Sequence, residues 1–420
     1  MTAGVAAERW STREIVALAG VVVAGIAIRL VLLPTQGLRA DTDQFAGWIH
    51  SIATNGLGTL YGPQAAGPVT FGPVMAGIWA LLAAVEPAFR TATDASDPVV
   101  RELMKLPASV ADIGLGLLVA YALRTRPGWA VVAAAAILLH PAVIDVSAWW
   151  GQYESIYLLS ALAATLLAIN GRNGLAAAAI TLSLLTKPQA LPLLLPFAAW
   201  FWATGGWRGL TRAALIGAAV AVVLWLPFLA ANGPAEYLRN LGEYQGGIFN
   251  ILSLRAWNAW WLVQEVAAGG GFVRDDAAVA GPLTLRTVGY AVAVLLDLVI
   301  AGLVVRHATP RTLVLGLAAS VLVFFAVATQ MHERYAYGAL VFLGLLVAEP
   351  RARRLAVAFG VVFTLNLLAA VPPTPDIGRW LPISGLLGVA GSVAMLATTY
   401  AVVRLLATAP TGRDAAGAPP

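Results

Sequence analysis

From residue 10 to residue 405 long apolar runs alternate with short polar breaks, far coarser than the period of a soluble amphipathic helix or strand. A bilayer crossing takes roughly 20 apolar residues. On that measure about twelve spans are expected, at 15–33, 104–123, 128–144, 155–170, 174–186, 189–203, 212–231, 286–305, 312–329, 336–349, 354–371 and 381–403, several of them shortened or broken by Pro and Gly. The apolar run 71–85 decides the topology. If it crossed, the short basic loops at 124–126, 208–212, 306–311 and 351–354 would face outward, against the positive-inside rule. It is therefore expected to lie along the interface.

Both termini are then cytoplasmic. Inner segments hold 14 of the 26 basic residues with 4 acids, and outer segments hold 15 of the 21 acids with 11 bases. Two outer loops, 34–103 and 232–285, are long enough to be functional when they are ordered. The first begins with a short amphipathic helix carrying Asp41, Asp43, Trp48 and His50, followed by a Gly/Pro-rich turn; the second carries the run Trp257-Asn258-Ala259-Trp260-Trp261. The chain reads as one transmembrane domain, 1–406, with interfacial helices in the first outer loop. A small-residue, Pro-rich tail, 407–420, has little to bury and is expected to be a disordered cytoplasmic segment.

Composition strengthens the membrane reading and closes other possibilities. With 60% hydrophobic residues, 11% charged residues and a mean hydropathy of +0.80, a soluble fold would be coated in apolar surface. The run 15–33, preceded by Arg9 and Arg13, is expected to be a retained first span and not a cleaved signal peptide. The net charge of +5 follows from the basic inner loops, so no nucleic-acid partner is implied. With no cysteine, neither disulfides nor thiolate chemistry is available.

The remaining polar chemistry falls in four islands at the mouths of apolar spans: Asp41-Thr42-Asp43, Trp149 to Ser155, Thr186-Lys187-Pro188-Gln189, and His332-Glu333-Arg334-Tyr335. In the topology above all four lie outside, where they can converge. Asp112 and Asp297 sit inside spans and are expected to face the bundle interior, since a charge facing lipid is costly.

The order and wording of these islands resemble the polyprenyl-phosphate-dependent GT-C glycosyltransferases. Asp41 stands seven residues before Trp48; HPAVIDVSAWWGQYES, LLTKPQALPLLLPF and HERYAY are similar to the family's successive outer-loop motifs, and NILSLRAWNAWWL to a stretch of its bacterial branch. The resemblance covers about residues 10 to 370. It implies an all-α polytopic GT-C fold in the plasma (inner) membrane with the active site on the extracytoplasmic side. It further implies inverting transfer of a sugar, mannose in many relatives, from a polyprenyl-phosphate donor to a lipid or glycan acceptor.

Such a transfer needs a base for the acceptor hydroxyl and positive charge for the departing phosphate. By the resemblance Asp41 takes the base role, with Asp43 orienting Asp41 or the acceptor, and Lys187, His332 and Arg334 take the phosphate. Glu333 is a partner that steers Arg334 or His332. Gln152 and Glu154 are substrate-binding candidates; Glu154, where eukaryotic relatives usually carry Asn, either binds sugar hydroxyls or pairs with Lys187. Trp48, Trp149 and Trp150 either stack on sugar or lipid or serve as interfacial anchors. Asp41-Thr42-Asp43 also spells the DxD metal motif of nucleotide-sugar enzymes. A monophosphate leaving group can be held by Arg, Lys and His alone, so no metal and no cofactor are expected. The rival from another class is a polytopic transporter or a flippase for lipid-linked sugar, which would carry ionisable groups along the membrane interior, where this sequence places only Arg29, Asp112 and Asp297.

Overall fold

A computed structural model describes residues 8–409. The expected disordered tail lies, from residue 410 onward, outside the described residues, and Ala407 closes the last helix.

The chain is helical nearly throughout. In order it forms α1 (Thr12–Leu32), α2 (Arg39–Asn55), α3 (Pro73–Val85), α4 (Pro98–Ala122), α5 (Pro127–Leu138), α6 (Pro141–Ile144), α7 (Glu154–Ile169), α8 (Asn173–Leu184) and α9 (Leu194–Trp225). There follow α10 (Gly233–Glu243), α11 (Ala259–Ala268), α12 (Leu285–His307), α13 (Pro310–Val327), α14 (Tyr337–Gly344), α15 (Pro350–Ala370), α16 (Pro375–Trp380) and α17 (Leu386–Ala407). The local reasons are plain in the sequence. Ser11 and Glu14 form a reciprocal capping box at α1, Asp97 accepts from the Val99 and Val100 amides at α4, and Pro stands at the start of α3, α4, α5, α13 and α15, where its missing N–H has no partner to lose.

Among the described residues seven helices are long and apolar enough to cross a bilayer, or eight if α5 and the segment Pro141–Trp150, bent by 46° to each other, count as one span. The protein is an all-α, multi-pass membrane protein. The helix at Pro188–Ala231 runs for 44 residues but breaks at Gly206, whose φ of 58° and ψ of −156° are non-helical. Helices α7, α8 and α14 match expected spans in position but are shorter than a bilayer crossing. Helix α3 has 13 residues, about 20 Å at 1.5 Å per residue, and this is short of the roughly 30 Å hydrocarbon layer.

Among the described residues two large buried clusters organise the fold, with a small third at Trp257, Trp261 and Ala369. The main one runs through the bundle, where α7 packs on α8, α12 on α13, and α4 on α5 and α7. The second belongs to the first outer loop: Phe45, Trp48, Phe71, Trp79 and Tyr153 enclose one another with ring centroids 5.0 to 6.3 Å apart. That loop is thus ordered, as its content suggested.

Inside the bundle Asp112 faces inward as expected. Its partners are Arg29 Nε at 2.9 Å, Tyr337 Oη at 3.2 Å, and the hydroxyls of Ser147 and Ser155. Arg29 also donates to the carbonyls of Gly25 and Leu138. Asp297 is buried too. Strands are minimal. Two residues, Ser253–Leu254 (β1), pair in parallel with Met331–His332 (β4), and a small hairpin joins Ala278–Ala280 (β2) to Leu283–Thr284 (β3).

Candidate active site

The four polar islands meet at one cleft of about 240 Å³ that Asp41, Trp48, Gln152, Lys187, His332 and Arg334 all line. Each is brought there by a short irregular segment at a helix end. Asp41 sits in the first turn of α2. Gln152 follows a left-handed turn at Gly151, where a π-helical stretch, Asp145–Trp150, ends. Lys187 lies between α8 and a 3₁₀ turn that begins at Pro188. His332 belongs to β4, paired with the second outer loop.

Glycine makes two of these approaches possible. The Gly72 amide donates to the Thr186 carbonyl at 3.1 Å, and any side chain at 72 would collide with the Leu185 carbonyl. This contact ties the entrance of α3 to the Lys187 turn. Gly37, at φ 62°, runs so close to the Trp149–Trp150 backbone that a Cβ would lie 2.6 and 2.7 Å from their carbonyl oxygens.

Hydrogen bonds and one ion pair link the islands into one chain. Trp150 Nε1, at 2.9 Å, and Gln152 Nε2, at 2.5 Å, both donate to Asp41 Oδ2. No other hydrogen bond of the described residues reaches the carboxylate, so Oδ1 remains open to a ligand. Lys187 Nζ donates to Gln152 Oε1 at 3.3 Å and to Glu154 Oε1 at 2.6 Å. The same Glu154 oxygen stands 3.2 Å from Arg334 Nε, and Arg334 Nη1 donates to Glu333 at 3.0 Å and to His332 Nδ1 at 3.1 Å. Aromatic faces complete the cation cradle, with Arg334 4.8 Å above the Trp150 ring and Lys187 5.0 Å from that of Phe71.

This settles several alternatives left open by sequence. Glu154 is fully buried and pairs with Lys187 and Arg334, so it holds two like charges side by side and does not line the cleft. Glu333 is likewise buried and serves Arg334, with His332 Nδ1 at 4.0 Å. Lys187 itself is buried, 3% exposed. Trp150 bonds the Asp41 carboxylate, and Trp48 lines the cleft as part of the outer-loop core.

Glu154, Glu333 and Trp150 stand behind the cleft and hold its lining residues, whereas the side chains of Asp43 and Trp149 take no part in it. Asp43 lies two residues beyond Asp41 on the same helix, and residues at that spacing face apart. It pairs with Arg39 at 3.0 Å and accepts from the Ala95 amide at 3.0 Å. Asp41 and Asp43 therefore do not form a shared carboxylate site. Trp149 packs against the bundle core, and its backbone carbonyl, not its ring, serves the site.

Electrostatics follow from burial and pairing. Burial, reinforced by Arg334 and opposed by Glu154, pulls Lys187 down to about 8. Burial, then the Arg334 and Lys187 charges, hold His332 well below the usual histidine range, so the ring is neutral. Since Arg334 can only donate, Nδ1 is the acceptor and the ring proton sits on Nε2. Burial raises Glu333, with Arg334 opposing. For Arg334 burial works downward but is outweighed by Glu333 and Asp41, and its affinity for the proton rises.

Several residues in or behind the cleft were not among the site candidates read from sequence. Tyr244 and Gln245 come from the second outer loop; Tyr244 accepts from Gln44 Nε2 at 2.6 Å, and the Gln245 carbonyl accepts from Gln330 at 2.9 Å. Gln330 is held at φ 63°, a strained setting for a side chain other than Gly. Lys105, fully buried, donates to Thr35 O and Trp149 O, each at 2.6 Å, and to Thr35 Oγ1 at 3.0 Å. It thereby fastens the end of α1 to the turn that aims Trp150 and Gln152 at Asp41. That Lys105 and Lys187 are the chain's only two lysines was a signal available in the sequence.

Beyond the polar chain the cleft is apolar, walled by Leu191, Leu241, Tyr290, Val321, Phe324 and Phe325. One end can thus take charge and hydroxyls, and the other hydrocarbon. No protein-family model matches this chain, and no curated protein matches it.

Proposed function

We propose that the protein is a membrane glycosyltransferase of the GT-C type that moves a hexose, mannose in the leading reading, from a polyprenyl-phosphate donor to a lipid or glycan acceptor on the extracytoplasmic face. The observation that carries this reading is the continuous path Asp41–Gln152–Lys187–Glu154–Arg334, which joins an open carboxylate oxygen to a double-cation pocket across residues far apart in sequence.

In this reading the donor's isoprenoid lies against the apolar wall and its phosphate against Lys187, Arg334 and the Nε2–H of His332. Asp41 Oδ1 takes the acceptor hydroxyl proton while Trp150 and Gln152 fix Oδ2. The acceptor oxygen bonds to the anomeric carbon as the bond to phosphate breaks, and the leaving phosphate's added charge passes to Lys187 and Arg334. A β-linked donor then yields an α-glycoside. Twelve spans fit this fold if the bent α5 pair is one span, the 44-residue run is two separated at Gly206, and α7, α8 and α14 cross as short helices, with α3 along the interface.

The test uses purified protein in lipid with polyprenyl-phosphate-mannose, alternative polyprenyl-phosphate sugars and a panel of envelope lipids and glycans. Wild-type transfer that survives EDTA and falls about 10²- to 10⁴-fold in Asp41→Asn, with an unchanged elution profile, supports the reading. Transfer that persists in the variant removes Asp41 as the base. Intact lipid binding without transfer from any donor replaces the enzyme with a flippase for lipid-linked sugars.

A further inference from the structure

A second cavity, of about 460 Å³, opens at the other end of α8. Lys187 follows the last turn of α8 and Arg172 precedes the first, so the two sites are separated by the helix length, about 18 Å for 12 residues. The new cavity is bounded by the α7–α8 turn and by the break in α9, and it is lined by Arg172, Asn173, Gly205, Gly209, Arg212 and Ala213, among others. Gly171 and Gly205 have nothing within 4 Å of where a Cβ would stand, which leaves the mouth open.

Its charge is uncompensated. From Ser155 to Ala235 the sequence contains no Asp or Glu, and three of the four cations in that stretch, Arg172, Arg208 and Arg212, fall at this turn. All three are exposed, and among the described residues none of their side chains has an ion pair or hydrogen bond. The surroundings are apolar. Trp202 and Trp207, 44% and 69% exposed, pack edge to face beside the break, and Leu175 and Leu215 are exposed next to the arginines. Exposed Trp is typical of the level of lipid headgroups. A guanidinium fork suits phosphate oxygens, and basic pockets between spans bind anionic headgroups.

We propose that this cavity binds the phosphate of an anionic phospholipid, with Arg172 and Arg212 holding the phosphate and the apolar rim holding the acyl chains, at the end of α8 away from the Asp41 cleft. The site is independent of what the cleft does.

Native mass spectrometry of the purified chain with added phosphatidylglycerol or phosphatidylcholine tests it. Phosphatidylglycerol is retained in preference to phosphatidylcholine, and its affinity falls about fivefold with each arginine lost in Arg172→Gln and Arg212→Gln, while Arg90→Gln, on the first outer loop, leaves it unchanged. Gly205→Leu fills the mouth without altering charge and weakens binding as well. Equal retention of the two lipids overturns the site, as does full affinity in either the arginine or the glycine variant. Inorganic phosphate that binds as tightly as the lipid reassigns the cavity to a soluble ligand and overturns the lipid source.

Discussion

Lys187 is enclosed by an amide oxygen, a carboxylate and two aromatic rings, and a neighbouring guanidinium repels its charge. Protonated below about 8, it loses its charge as pH rises through that value, so a cleft that grips a phosphate weakens on the alkaline side. The profile of kcat/KM, which reports the free enzyme, is expected to fall above about 8, and Lys187→Arg, charged throughout, to move that fall out of range. An unchanged alkaline limb in the arginine variant would separate Lys187 from the phosphate. Lys105 acts at one remove. Lys105→Met keeps the stem but abandons the Thr35 and Trp149 carbonyls; with Asp41's two donors loosened, kcat is expected to drop about 100-fold with little change in the donor's KM. Lowered thermal stability without that kcat loss would make Lys105 a structural tie only. These residues differ in how visible they were. Asp41, Gln152, Lys187 and the 332–335 island stood out because a polar cluster at the end of an apolar run has few structural reasons to exist. Asp43 was read as part of the site by its nearness to Asp41 in the motif, although a spacing of two residues on the expected helix already placed it on another face. Lys105 was hidden because its partners are backbone carbonyls from two distant segments.

At the level of elements, the bundle is joined where Arg29 of α1 meets Asp112 of α4. Ser147, Ser155 of α7 and Tyr337 of α14 close around the pair. Removing one partner strands the other charge in the interior. Asp112→Ala is therefore expected to cost about 3–5 kcal/mol, whereas replacing both residues by apolar ones, Arg29→Met with Asp112→Leu, costs much less. Thermal unfolding in detergent checks this, and equal losses in the single and double variants would deny the coupling. Helix positions were legible from hydropathy: α1, α12, α13 and α15 fall within about four residues of the expected bounds, while α4 begins six residues early because Asp97 and Pro98 start it in polar sequence that hydropathy does not register. The β1–β4 pairing was not legible. Two residues of parallel pairing between segments 253–254 and 331–332 carry no period that a sequence can display.

On the scale of the whole molecule, polarity is divided between two faces. Lys187 and the cleft stand at one end of α8, and the arginine cavity stands at the other. In the proposed topology, which follows the positive-inside rule, the arginine face lies in the cytoplasm, and the acids around the cleft then face outward. Because the chain has no cysteine, single thiols can report this without background. Gly246→Cys lies in an exposed part of the second outer loop where a side chain has room, and Thr211→Cys lies exposed beside the arginine cavity. An impermeant maleimide applied to intact cells is expected to label the first and to reach the second only after permeabilisation. The reverse pattern would put the cleft in the cytoplasm, where a nucleotide-activated donor becomes available. It would then remove the reason for assigning a lipid-linked sugar, even with every contact in the cleft unchanged. Labelling of both thiols from outside would break the single crossing assumed between them, which rests on the second half of the 44-residue run, after Gly206, passing through the bilayer.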